Sequence, residues 1–228
     1  MSTQLDPTAI AGDLLYAVKT DGESDVDRDR LASIDPARLD RMLAERPQRL
    51  AFWLNVFNAY VHLLLEEREH EPPTGILERW AFFERDSVPV ASQWVSLNDI
   101  RDGVLRRSRL RWGFGYLPRP LPGRFERRFR LERGDPRIHF GLSSVPGTSP
   151  PTTVYTAADV DEALDLATDW YIDENVTYDR EADELTLPRL FWWYRGDFGG
   201  ISGVRSFLES HDAIPAGERP SITFERTN

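Results

Sequence analysis

Between residues 47 and 68 apolar side chains recur at spacings of three and four: Leu50, Trp53, Leu54, Phe57, Val61, Leu64 and Leu65. That period gathers them on one broad stripe of a long α-helix, too wide to be covered by a single neighbour. Any fold of this chain must be built around that helix. Asn55, Asn58 and His62 border the stripe at i, i+3 and i+7, and buried amides there would need hydrogen-bond partners. Two readings follow for Asn55 and Asn58: they satisfy neighbouring backbone inside the core, or they form the polar wall of a binding pocket. His62 reads as a seam or surface residue.

The remaining pattern predicts helices over 7–20, 25–34, from Asp35-Pro36 onward, and over 74–83. A hairpin is expected from 88–90 and 94–97, with Asn98 as N-cap of a helix over 99–106. Residues 138–142 read as a strand. Thr156 is expected to cap a helix reaching about residue 174, with Val160, Ala163, Leu164, Ala167, Trp170 and Tyr171 turned inward. Another hairpin is expected over 176–178 and 184–187, then a helical turn over 190–194, a helix over 202–210 and a last strand over 222–224. Helices outnumber strands and the strands come in hairpins, so the expected class is α+β, in which helices pack around short antiparallel strands. The chain of 228 residues suits one domain. Its expected parts are an N-terminal helical segment (1–49), a core (50–199), and a C-terminal helix and strand (200–228) completing the same domain.

Composition narrows the function. A net charge of −10 argues against general nucleic-acid affinity, because the mean field repels polyanions. Lys19 is the one lysine, against 27 arginines, and there is no cysteine. An acidic, lysine-poor, cysteine-free chain is expected of a protein working in concentrated salt, as in a halophilic archaeon, where carboxylate repulsion is screened. Zero cysteine removes disulfides, thiolate catalysis and cysteine-bound zinc from consideration. The first residues lack a basic, then apolar, signal pattern, and no stretch has the length of a membrane span, so a cytoplasmic protein without a membrane partner is expected. No phosphate loop, dinucleotide fingerprint or zinc motif occurs, and the sequence implies no cofactor or metal.

Chemistry concentrates in 135–151, where His139 precedes Ser144 and Ser149 in a loop stiffened by Pro146, Pro150 and Pro151. A serine needs a nearby base to become a nucleophile, and an imidazole can supply it. A second concentration is the arginine-rich segment 106–130 and its flanks, interleaved with Trp112, Phe114 and Tyr116. It reads either as an anion or nucleic-acid surface, or as a loop whose guanidiniums pair with the acidic helix carrying Asp161, Glu162, Asp165, Asp169, Asp173 and Glu174.

The blocks FWLNVFNA (52–59), LNDIRDGVLR (97–106), DPRIHFGLSSVPGTSPP (135–151), VYTAADVDEALDLATDWYIDENV (154–176) and WYRGDFG (193–199), in this order, resemble the family called domain of unknown function 547. The resemblance covers about 50–199. It places the family's Asn pair on Asn55 and Asn58, its Arg-x-His on Arg137 and His139, and its Asp-Phe-Gly on Asp197, Phe198 and Gly199. Relatives typically carry cysteines where this chain has Ser144 and Ser149, and Ile-Glu-His where it has Ile100-Arg101-Asp102. The resemblance implies kinship with bacterial, archaeal and plant proteins of unassigned activity.

The expected site therefore comprises His139, Ser144 and Ser149 as catalytic candidates, and Asn55, Asn58, Arg137, Arg106 and Asp197 as binding residues. Three functions stay open. The first is a thiol-independent binding or scaffold protein for a small molecule or a protein. The second is a hydrolase or acyl-transfer enzyme using Ser144 or Ser149 with His139. The third is an anion or nucleic-acid binder acting through the arginine-rich segment 106–130.

Overall fold

The computed structural model describes residues 6–69, 71–73, 75–142 and 153–225. Its spine is the long helix read from the sequence, α4 (Arg46–Glu66), whose residues from Leu50 to Val61 are all buried. Three helices precede it: α1 (Pro7–Lys19), α2 (Asp25–Ser33) and α3 (Pro36–Met42). Helix α1 lies along α4 and buries Ile10, Leu14, Leu15 and Val18 against it. Aspartates begin α1 and α3: Asp6 accepts from the Thr8 and Ala9 amides, and Asp35 from the Arg38 amide, with a proline in the first turn of each.

After α5 (Ile76–Glu84), the hairpin β1 (Asp86–Val90) and β2 (Gln93–Ser96) runs antiparallel. The next seven residues, Asp99–Leu105, form a π-helical turn rather than the expected α-helix. Asn98 does not cap it. Asp99 Oδ2 instead accepts from the Ser96 amide and hydroxyl at 3.0 and 2.9 Å, and Ser96 Oγ accepts from the Asp99 amide at 3.0 Å. The chain then runs through α6 (Arg124–Phe129), α7 (Ile138–Gly141), α8 (Val160–Asn175), β3 (Thr177–Asp179), β4 (Glu184–Leu187), α9 (Arg189–Trp193), α10 (Gly200–Ser210) and β5 (Ser221–Phe224). Strand β5 pairs parallel to β4 in a three-stranded sheet, so one strand pair departs from the expected antiparallel pattern. The class is α+β.

The strand expected over 138–142 is a helix. An alternating strand would place Ile138, Phe140 and Leu142 on one face. In the structure Ile138 and Leu142 join the large core around α4, while Phe140 belongs to a smaller C-terminal core with Ile172, Leu185, Phe191, Phe198 and Leu208. Residues at i and i+4 share a helical face and i+2 lies opposite, so only a helical turn serves both cores at once. Asp135 starts it, accepting from the Arg137 amide at 3.0 Å. Two smaller corrections concern α8. It begins at Val160, one turn after Thr156, whose amide donates to the Asp159 carboxylate at 2.9 Å. Trp170 is 37% exposed rather than turned inward.

The C-terminal core is fastened to the irregular segment 107–123 by a backbone pinch. A Cβ at Gly196 would lie 2.5 Å from Gly115 C, 2.6 Å from Tyr116 N and 2.7 Å from Phe114 O. Backbone cannot yield as a side chain tip can, so Gly196→Ala is expected to destabilise the protein by about 1–3 kcal/mol or more. Gly134→Ala, whose Cβ would meet nothing within 4 Å, should be near neutral. Urea titration of both variants checks the contrast.

Candidate functional site

Two amides of α4 hold the feet of the segment that carries the serines. Asn55 Nδ2 donates to Tyr155 O at 2.8 Å and Asn55 Oδ1 accepts from Tyr155 N at 2.9 Å, so one side chain satisfies both backbone groups of that residue. Asn58 Nδ2 donates to Gly141 O at 3.0 Å, and Tyr155 Oη donates to the same carbonyl at 3.2 Å. Both asparagines are fully buried. These bonds follow the first of the two sequence readings, in which the amides satisfy backbone. Removing Asn55 strands two buried backbone groups, each costly to leave unpaired. Asn55→Ala is expected to lose about 2–4 kcal/mol in chemical denaturation. Ser144 and Ser149 lie outside the described residues.

From Gly141 the short helix turns back to His139. Its side chain is 3% exposed, and its Nε2 lies 2.8 Å from Asp197 Oδ2. The ring stacks on Tyr194 with centroids 4.1 Å apart. Arg106, wholly buried, donates from Nε to the same Asp197 oxygen at 2.7 Å, and its guanidinium lies over Tyr194 at 4.6 Å. Its Nη1 reaches Asp102 Oδ1 at 2.9 Å. Arg101 grips both oxygens of that carboxylate at 2.9 Å, from Nε and Nη2. Arg101 Nη2 also donates to Asn98 Oδ1 at 2.6 Å, and Asn98 Nδ2 to Glu84 Oε1 at 2.6 Å. A continuous polar chain thus crosses the interior from Glu84 to His139.

Burial drives the His139 pKa below its usual 6.5; Asp197 opposes this, and Arg106 and Arg101 reinforce it. Burial alone would raise the Asp197 carboxyl, but His139 and Arg106 overcome it and hold the group below the usual range. For Asp102 the same penalty is outweighed by Arg101 and Arg106, leaving it well below the ordinary carboxylate range. The resting arrangement is therefore two arginines, two carboxylates and a neutral imidazole. An ionised carboxylate only accepts hydrogen bonds, so Asp197 fixes the imidazole proton on Nε2, and Nδ1 has no hydrogen-bond partner among the described residues.

Arg137, the other cation of the helix start, points elsewhere. It donates to Asp135 at 3.0 and 2.7 Å, to Asp161 at 2.6 Å and to Asp165 at 2.8 Å, tying α7 to α8. Arg46 joins the same cluster through Asp135 and Asp161. The structure thus brings His139, Asp197 and Arg106 together, puts Asn55 and Asn58 on the loop feet, and commits Arg137 to acidic partners. Sequence reading missed the roles of Tyr194, Arg101 and Asp102. The i, i+4 spacing of Asp102 and Arg106 is a readable signal. The junction with Asp197, 91 residues from Arg106, carries none. Among the described residues no cluster of three or more His, Cys, Asp or Glu side chains could hold a metal ion, and no helix is long and apolar enough to cross a membrane.

Comparison with known proteins agrees with the sequence blocks. The family model described as protein of unknown function, DUF547, matches residues 41–172, more than half of the chain, and the chain belongs to that family. Asp197 lies beyond the matched stretch. Neither the search of curated proteins nor that of solved structures returned a match.

The lowered His139 pKa has a signed consequence. As pH falls through about 6.5 the unfolded chain binds a proton there that the folded chain refuses. The His139 contribution thus favours folding fully above that pH and is lost as pH falls toward the folded value. The carboxylates Asp102 and Asp197 add a second loss below about pH 4. Between pH 7 and 5, stability in urea should decline by up to about 1.4 kcal/mol per pH unit from this group, with a shallower decline in His139→Gln.

Proposed function

We propose that this protein is a thiol-independent hydrolase or acyl-transfer enzyme in which His139 is the general base, Asp197 orients it, and the Ser144 or Ser149 hydroxyl is the nucleophile. One observation carries the reading: a desolvated, neutral imidazole held at 2.8 Å by a buried carboxylate. The helix bearing it leads within four residues into the serine segment. A base with its orienting acid, and a hydroxyl close to the base in sequence, are the parts that support nucleophilic catalysis. In the proposed step the serine Oγ attacks an acyl carbon while its proton passes to His139 Nδ1. The imidazolium then returns that proton to the leaving group, and water repeats the sequence on the acyl-enzyme.

A fluorophosphonate probe with peptide mapping tests this. Labelling at Ser144 or Ser149 is expected, lost in His139→Ala and slowed by about 10³-fold or more in Asp197→Asn. Absence of labelling, or labelling indifferent to His139, overturns it.

A binding or scaffold role is the second reading, and the charge balance of the Arg101–Asp102–Arg106–Asp197 chain favours it, because the chain is electrically complete without a substrate. In that case His139→Ala would change stability and leave probe reactivity unaltered.

The acidic, lysine-poor composition supports a high-salt working medium. The thermal midpoint should rise as KCl increases from about 0.15 M to beyond about 1 M, where repulsion between exposed carboxylates is screened. A flat or falling midpoint in a salt series counts against a halophilic origin.

A further inference from the structure

Six arginines, Arg107, Arg124, Arg127, Arg128, Arg130 and Arg133, form no ion pair among the described residues, whereas Arg106, Arg111, Arg119 and Arg137 of the same region do. None of the acidic side chains of α8 forms an ion pair with these six among the described residues; Asp161 and Asp165 hold Arg137, and Asp169 holds His211. A chain of net charge −10 therefore carries a concentrated positive face.

Helix α6 organises that face. Glu126 and Phe129 are buried beneath it, Glu126 against Arg119. Arg124, Arg127 and Arg128, at i, i+3 and i+4, all stand exposed on the other side. Val104 O accepts from Arg107 N at 3.2 Å and Leu131 N at 3.1 Å, bringing Arg107 beside the stretch that carries Arg130 and Arg133. Of the acidic residues in 124–133, Glu126 is buried and Glu132 is exposed. Between α6 and the hairpin lies a cleft of about 420 Å³, lined by Arg124, Arg127 and Arg128 with Phe125, Phe129, Pro36 and Gln93. Trp94, next to Gln93, is 64% exposed.

We propose that this cleft binds a phosphate-bearing small molecule with a planar ring, a nucleotide being the simplest member. Guanidiniums pair with phosphate oxygens in forked geometry, which suits the rim. The half-buried Phe125 offers a ring for stacking at the floor, and the volume falls within the range of small-ligand sites. The surrounding negative field disfavours a long polyanion but not a compact one that fits within the positive face. The cleft shares no residue with the His139 site, and the two proposals stand independently.

Titration calorimetry with ATP, inorganic triphosphate and a thymidine 12-mer in about 0.15 M salt tests the assignment. ATP is expected to saturate below about 1 mM. Arg124→Glu/Arg128→Glu should weaken it by about tenfold or more. Neither side chain makes a hydrogen bond or ion pair with the described residues, so that variant should keep the wild-type circular dichroism. Phe125→Leu should weaken ATP and leave triphosphate unchanged. The proposal is overturned by no saturable ATP binding in that range, or by equal affinity in the double glutamate variant. Triphosphate binding as tight as ATP would reduce the face to a plain anion patch. Oligonucleotide binding about a hundredfold tighter than ATP would make it a polymer site.

Discussion

Asp197 is a carboxylate in the interior, and a charge there persists only if donors surround it. One of its oxygens accepts from both Arg106 and His139, and this shared atom joins the two halves of the molecule. Arg106 follows the π-helical turn, which packs on α4, while Asp197 sits in the turn that opens the C-terminal core. His139 belongs to α7, whose apolar side chains enter both cores. The polar contact and the two apolar ones therefore specify the same placement of α7, and a register error in any of them would leave a buried charge without a partner.

The charge sequence along this chain explains why the imidazole is neutral. Arg101, Asp102, Arg106 and Asp197 alternate in sign and sum to zero. A protonated His139 would add an uncompensated charge in a site shielded from water, where Coulomb interactions are strongest. Asp197 cannot stabilise that charge fully because Arg106 already draws on the same oxygen. The arrangement thus favours an imidazole that accepts a proton transiently over one that stores it.

Much of the fold was legible in the sequence because periodicity reports burial directly. Helices α1 to α5, α8 and α10 and both hairpins follow from spacings of three, four and two, whereas α6, in the arginine-rich stretch, carried no such period. The failure at 138–142 is instructive. Ile-His-Phe alternates like a strand, yet Asp135-Pro136 is the third Asp-Pro pair after Asp6-Pro7 and Asp35-Pro36, and each of the three begins a helix. The local start signal was correct, and the alternation was produced by two cores on opposite sides of one turn. Within the site, His139 and the two asparagines stood out as polar residues in apolar surroundings. The pairing of Asp197 with Arg106 did not, because a contact between distant segments is set by how the cores dock and not by any local pattern. The seven-residue π-helical turn was equally hidden, since its wider winding mimics an α-helix in composition.

Two departures from the family pattern point in one electrostatic direction. The resemblance to the family implies cysteines at the places of Ser144 and Ser149 in relatives, and a thiol acidic enough to lose its proton forms a thiolate beside an imidazolium in the resting state. A hydroxyl cannot do so; it needs a ring that is neutral until the moment of attack. Where the resemblance implies Glu-His, this chain has Arg101-Asp102, and Arg101 extends the cationic side of the chain that disfavours imidazolium. Exchanging thiol for hydroxyl and placing a guanidinium near the base are thus mutually consistent changes. A hydroxyl nucleophile and a ring kept neutral by burial and nearby guanidiniums are the pairing that the proposed reaction needs.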